Sequence, residues 1–246
     1  MGPLPPTGRW VRLEVPASIL DLESHSLNGM AFTLVGGRAT WDRAGKVCQD
    51  TVFIDDSLPA GASAGNWSGN NEPDMSFTTP TGSTPLPISG SKIHISPLFN
   101  GEHQHYFYNA SGMPVLEGDV MYAYVYLDPA NMPEEIMVQW NAGNTDNPDS
   151  WAHRAYWGKN NIQYGTNDTA SQRYAGQLPQ APPTGGWVRL EIPASYVGLV
   201  GMQVKGMAFT ASKGQVYWDA AGKRSHSHLD LSKLKPQSKF YKNHAG

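Results

Sequence analysis

One cysteine, Cys48, stands in a chain of 246 residues, and that count excludes an intramolecular disulfide framework. Charge is scarce as well. Only 16% of residues are Asp, Glu, Lys or Arg and the net charge is −3, too little to steer the chain to nucleic acid. No run approaches the ~18 apolar residues of a membrane helix, so no membrane insertion is expected. The opening residues, MGPLPPTGRW, lack the apolar centre of a signal peptide. Catalytic signatures are missing too: no G-x-S-x-G elbow, no H-E-x-x-H pair, no Gly-rich phosphate loop and no paired-cysteine zinc site. On these absences the chain reads as a non-enzyme that requires no cofactor.

What the sequence has in plenty is Gly and Pro, 26 and 19 residues, with 11% aromatics. That is the profile of an all-β protein with many turns. It also has a repeat. Residues 5–46 (PPTGRWVRLEVPAS…WDRAGK) and 182–223 (PPTGGWVRLEIPAS…WDAAGK) align without a gap at an offset of about 177, with about 24 of 42 positions identical. The repeat sets the phase of the chain. Residues 1–46 are an incomplete copy holding only closing strands, 47–50 a linker, 51–222 one complete domain, and 223–246 a basic, solvated tail. A chain that begins inside a repeat is expected to be a fragment of a longer one. His226, His228 and His244 lie in the tail without a zinc-ligand spacing.

Within the repeated unit, WVRLEVP alternates, with Val11, Leu13 and Val15 on one face of a half-buried strand. Met30, Phe32 and Leu34 share another face, and Gly36-Gly37 signals a two-residue hairpin. In the complete copy, strands are expected over Lys92–Ser96, Gln104–Asn109, Val120–Asp128, Glu135–Asn141, Ala152–Gly158, Asn161–Gly165 and Gln172–Ala175. Residues 61–91 read as a long surface loop around Trp67. Short strands at this spacing, without helical periodicity, predict a two-sheet antiparallel β-sandwich of jelly-roll type.

Three constellations carry chemistry. His103 and His105 are two apart, so a strand puts both imidazoles on one face, with Gln104 and Tyr106 opposite. They read as a polar ladder in the sheet, a sugar platform with His153 and Arg154, or metal ligands. Aromatics crowd the unduplicated middle. Trp140 and Trp157 are expected in the core, whereas Trp67, Trp151 and Tyr156 are candidates to pack on the C–H faces of a carbohydrate. Last, Asp55, Asp56 and Asp219 lie at strand ends expected to pair, where they read as ordinary turn acids or as ligands of a structural calcium.

The segments TVFIDDSLPAGA, HQHYFYNA, YVYLDPANMPEEIMVQWN, AHRAYWG and WVRLEIPAS, with GMAFT and WDAAG, resemble a bacterial extracellular β-sandwich module. It occurs singly or in tandem in large surface or secreted proteins, including some of the YD-repeat (rearrangement-hotspot) type. The resemblance implies an accessory module built like a jelly-roll carbohydrate-binding domain, located outside the cell or on its surface, with no catalytic residue. The stretch NAGNTDNPDS, before WAHRAYWG, departs from the shorter turn of that family. Three functions follow as expectations: weak binding of a polysaccharide or other glycan; a structural or adhesive unit that self-associates through residues 5–46; and, remotely, a jelly-roll polysaccharide lyase using His94 and the His/Tyr strand.

Overall fold

The computed structural model describes residues 4–8, 11, 13, 15, 17–22, 27–41, 44, 50–67, 73–143, 149–179 and 186–225. Cys48, the tail histidines and half of the NAGNTDNPDS stretch, residues 144–148, lie outside these residues. Two units divide the chain, Lys46–Ser227 and one containing Met1–Gly45, and each is described by itself. No helix among the described residues is long and apolar enough to cross a membrane.

The larger unit is all-β. Its strands are β1 (Asp50–Ile54), β2 (Ser63–Asn66), β3 (His94–Tyr108), β4 (Met113–Pro114), β5 (Asp119–Leu127), β6 (Glu135–Gly143), β7 (Arg154–Gly158), β8 (Arg173–Gly176), β9 (Val188–Pro193) and β10 (Gln203–Ser225). The front layer runs β2-β3-β10-β6-β7-β8. Behind it, β5 pairs with β9 and with the far half of β10, whose other edge takes β1. Among the described residues the pairings between these strands are antiparallel except that of β7 with β8 at the edge, which is parallel. The core fills the space between layers. Met121, Ala123, Val125 and Leu127 of β5 reach it from behind, and Phe107, Phe209, Val138, Trp140 and Trp157 from the front. Each large side chain buried this way contributes about 1.5–3 kcal/mol.

β3 and β10 belong to both layers. Met207–Ser212 of β10 pairs with Glu102–Phe107 of β3, and Val216–Trp218 pairs with His94–Ser96. The corner between these halves is Lys213-Gly214, both left-handed, with φ of 63° and 71°. A hairpin was the expectation from the repeat, and here the chain bends instead. The reason is visible in the backbone: Ser212 O accepts from Glu134 N at 2.8 Å, and Gln215 N donates to Asn131 O at 2.9 Å. The loop before β6 thus occupies the groups a hairpin would pair. A Cβ at Gly214 would lie 2.4 Å from Asn131 O, so that loop and a side chain cannot share the corner.

Other boundaries move for similar reasons. Asn161–Gly165 is not a strand, because Asn161 N and Ile162 N donate to the Glu135 carboxylate rather than to a ladder. The 61–91 loop holds β2 and an isolated bridge from Thr78 to Ile93. β10 runs past Gly222 to Ser225, and Lys223, assigned above to the solvated tail, is buried against Asp119 Oδ2 at 2.7 Å.

In the smaller unit, no strand is present among the described residues up to Ala44. Val11, Leu13, Val15, Met30, Phe32 and Leu34 are exposed rather than half-buried. In the second copy, the partners that turn these positions into strands and cover them come from β1, β3, β5 and β6. Among the described residues those strands exist once. Local shape survives without them. Ala17–Leu20 forms the same 3-10 turn as Ala194–Val197, and Asp21 is left-handed like Gly198, each pair one repeat apart.

Candidate functional site

The outer face of the front layer carries a groove of about 580 Å³ lined by Asn66, Trp67, Gln104, Tyr106, Tyr108, Asn109, Gln139, Asn141, Asp149, Trp151, Arg154 and Tyr164. Strand register builds its floor. Tyr106 on β3, Ala208 on β10, Gln139 on β6 and Arg154 on β7 form one row across four strands. Gln104, Thr210, Met137 and Tyr156 form the next. Because successive side chains alternate between faces, the neighbours of these residues point into the core.

Polar side chains join across the rows. Arg154 Nε donates to Gln139 Oε1 at 2.7 Å, and its Nη1 to Ser171 O at 2.9 Å. Gln139 Nε2 donates to Thr210 Oγ1 at 2.9 Å and to Gln104 Oε1. Thr210 Oγ1 donates to that same Gln104 oxygen at 2.7 Å. Aromatic rings frame this floor. Trp67 meets Tyr164 edge-on at 5.6 Å, and Trp151 meets Tyr106 edge-on at 5.7 Å. Trp67 is fixed by its own N–H, 3.0 Å from Gln104 O, and stays 45% exposed. Tyr106 lies against the backbone of β2 at Gly65, where a Cβ would come within 2.7 Å of its ring.

The electrostatics of the face are set by burial. Glu135, wholly buried, has its pKa pushed up to about 7 by desolvation, with two backbone N–H donors only partly offsetting this. Glu102, which accepts the hydroxyl of Tyr164, is also raised by burial. The Arg154 guanidinium is pulled below its ordinary value by burial, and its Cζ sits 5.8 Å from the Tyr164 ring.

Of the residues singled out in the sequence, the structure brings Trp67, Trp151 and Arg154 to the groove. Tyr156 lies one row away. It is buried, with its hydroxyl donated to Asn167 Oδ1 at 2.7 Å. His103 and His105 are a correction. They are 0% and 2% exposed on the core side of β3, where His105 stacks on Phe209. His94 is beside them, its Nδ1 2.8 Å from His105 Nε2, so the face a lyase would need is closed to substrate. His153 is likewise buried, and its Nδ1 bonds Val197 O at 2.7 Å. The ladder of the front layer is therefore the Gln104/Tyr106 face of the same strand. Gln104, Gln139 and Asn141 were passed over because amides on a strand carry no motif; the alternation of β6 against its buried Val138 and Trp140 was the available signal.

Asp55, Asp56 and Asp219 gather around residues 88–92. Asp219 accepts from Ile88 N at 2.6 Å and Ser89 N at 3.0 Å, Asp55 from Ser89 Oγ at 2.8 Å, and Asp56 from Ser91 N and Lys92 N. Burial, and then Asp55, raise the Asp219 pKa, whereas Ser91 holds Asp56 below the usual range. Among the described residues no cluster of three or more His, Cys, Asp or Glu is set to hold a metal. The oxygen left over is Asp55 Oδ1, buried without a hydrogen-bond partner.

No protein-family model matches the chain, and no curated protein matches it in sequence. Among solved structures it is similar to a family 28 carbohydrate-binding module specific for non-crystalline cellulose, with a TM-score of 0.40 and 14% identity over 77% of this chain and 99% of that one. It is also similar to the family 11 carbohydrate-binding module of Clostridium thermocellum, solved with a β-1,3-1,4-mixed-linked tetrasaccharide (TM-score 0.37, 10% identity, 74% and 97% covered). A third is a cleaved adhesin domain of Lys-gingipain from Porphyromonas gingivalis (TM-score 0.38, 11% identity, 74% and 99% covered). At such scores and identities, function has to be read from the groove's own side chains.

Proposed function

We propose that the chain is a non-catalytic carbohydrate-binding module of a bacterial surface or secreted protein, holding a polysaccharide in the groove framed by Trp67, Trp151, Tyr106 and Tyr164. The supporting observation is the combination in one open groove of aromatic rings and a row of amide and guanidinium groups. Sugars need both: flat apolar faces for their C–H surfaces, and fixed polar partners for their hydroxyls. The reading needs no cofactor, and among the described residues the oxygen left for a structural calcium in the Asp55, Asp56 and Asp219 cluster is Asp55 Oδ1. Affinity gel electrophoresis against plant, algal and bacterial polysaccharides tests it. Retardation on at least one, lost in the Trp67→Ala/Trp151→Ala double variant, is the expected result; no retardation on any sinks it.

A second reading, assembly through residues 5–46, is supported by the apolar side chains that the first copy leaves exposed, including Phe32 and Trp41. It predicts self-association that disappears when residues 1–46 are deleted, measured by light scattering.

A further inference from the structure

Arg154 sets the direction of the hydrogen bonds that run through Gln139, Thr210 and Gln104 across the groove floor. A guanidinium only donates, so Arg154 Nε fixes the oxygen of Gln139 toward itself at 2.7 Å. The Gln139 amide nitrogen must then face the next strands, where it donates to Thr210 and Gln104. Thr210 passes its own proton to Gln104 Oε1 at 2.7 Å. From β7 to β3 the amide oxygens are consumed in sequence. What this relay leaves for a ligand is donors: the Gln104 amide nitrogen, and the N–H groups of Arg154 beyond those given to Gln139 and Ser171 O.

Charge points the same way. Among the described residues Arg154 has no carboxylate partner. Asp149, the acid lining the groove, is held by Lys205 at 3.0 Å, and Glu102 accepts the hydroxyl of Tyr164. A partly desolvated cation without a counter-charge is unfavourable, and a ligand that brings an anion relieves it. Neutral sugar hydroxyls donate as well as accept, so at the centre of the floor, where the Gln139 and Gln104 oxygens are spent, they use only half of what they offer. A carboxylate only accepts, and it fits the planar guanidinium.

We propose that the groove selects an acidic saccharide, a uronate-bearing polymer whose carboxylate sits on Arg154 and the Gln104 amide. This rests on the carbohydrate-binding reading above and narrows its ligand class. The fit requires no conformational change of the floor, because its donors are already oriented by the Arg154–Gln139–Gln104 relay.

The test compares polygalacturonate with its methyl-esterified form in affinity gels and by calorimetry, with dextran sulfate as a polyanion control. The wild type is expected to bind polygalacturonate at least about tenfold more tightly than the ester. That preference is expected to weaken with added salt. Arg154→Gln and Gln104→Glu should each erase it, and Arg154→Lys should restore part of it, because Lys keeps the charge but not the fork. Since Arg154 also holds Gln139 and Ser171, thermal midpoints of the variants are compared first, and the Gln104→Glu result stands if an Arg154 variant unfolds. Equal binding to acid and ester, lost in the Trp67→Ala/Trp151→Ala variant, overturns acid selection and leaves carbohydrate binding standing. Acid preference that survives both Gln104→Glu and Arg154→Gln, or equal retention by dextran sulfate, also overturns it. Binding to neither polymer nor any neutral glycan removes both.

Discussion

Phe32 and Trp41 lie with ring centroids 4.9 Å apart and planes at 41°. One repeat later, Phe209 and Trp218 lie 5.1 Å apart at 55°. Between each pair sits a two-residue left-handed corner, Gly36-Gly37 in the first and Lys213-Gly214 in the second. The first pair is about half exposed and the second fully buried. An aromatic contact and a corner are therefore encoded locally, and burial is supplied by strands that only the second copy possesses.

If that local order is self-sufficient, deleting residues 1–46 removes apolar surface and nothing that the sandwich uses. The thermal midpoint of the truncated chain is expected to stay within about 2 °C of the full chain, no more than the ~2–4 °C that about 1 kcal/mol shifts a domain of this size. A larger fall in calorimetry would show that the sandwich depends on the first copy.

Trp67 and Trp151 are expected to carry binding in unequal ways. Trp67 is the more exposed ring and Trp151 is partly covered by its contact with Tyr106. Replacing either by alanine should cost about 1–3 kcal/mol of affinity, the scale of an aromatic anchor, with no change in the unfolding midpoint. Tryptophan fluorescence quenching on titration with the bound polysaccharide, reduced in each single variant, checks the assignment.

Glu135 gives a pH signature with a definite sign. Its folded pKa, about 7, is above the ordinary 4.5. Stability from this group is therefore present in full below about pH 4.5 and is lost as pH rises through about 7. His94 acts oppositely: burial first, and His105 second, hold it well below 6.5, so its contribution is present above 6.5 and falls away as pH drops. The wild-type profile mixes the two, and Glu135→Gln separates them. That variant should gain about 1–3 kcal/mol over wild type at pH 8 and be near parity at pH 4. An equal effect at both values would refute the assignment to Glu135.

The pair Lys223–Asp119 predicts an asymmetry. Both side chains are buried, with the Nζ 2.7 Å from Oδ2, and Asp119 also accepts from Leu116 N at 2.9 Å. Asp119→Ala strands a buried ammonium and should cost about 3–5 kcal/mol, whereas Lys223→Met combined with Asp119→Leu should recover most of that. Urea unfolding of the two variants decides it.

Metal removal is expected to leave the domain standing. Each of the acids around residues 88–92 is already satisfied by N–H or O–H donors, apart from Asp55 Oδ1. Dialysis against a chelator should leave the melting curve unchanged, and a drop restored by calcium alone would establish a structural ion there.

The strands of the sandwich were legible where alternation is clean, as in β5, and Trp140 and Trp157 fell in the core as their neighbours require. The site was legible in its strand and illegible in its phase. His103 and His105 drew attention as chemistry-bearing residues, yet alternation gives only two faces and does not say which one meets the core. Phe107 and Phe209 settle it: both lie in the core on the same side of the sheet, and His105 stacks on Phe209. Corner and hairpin are likewise indistinguishable by residue type, since both want left-handed φ; what separates them is whether a distant loop, here 131–134, claims the freed backbone groups.

A strand shared by both layers also ties the mechanics of the groove to the far side of the molecule. Prising the front layer from the back cannot proceed like opening a book, because β10 is its own spine and is stitched on either side of the bend. Tension entering at Ser225 passes first through the β1 and β5 ladders before it reaches the row that holds Gln104 and Arg154. A load hung on the C-terminal side would thus be resisted in shear by the rear sheet while the groove kept its shape.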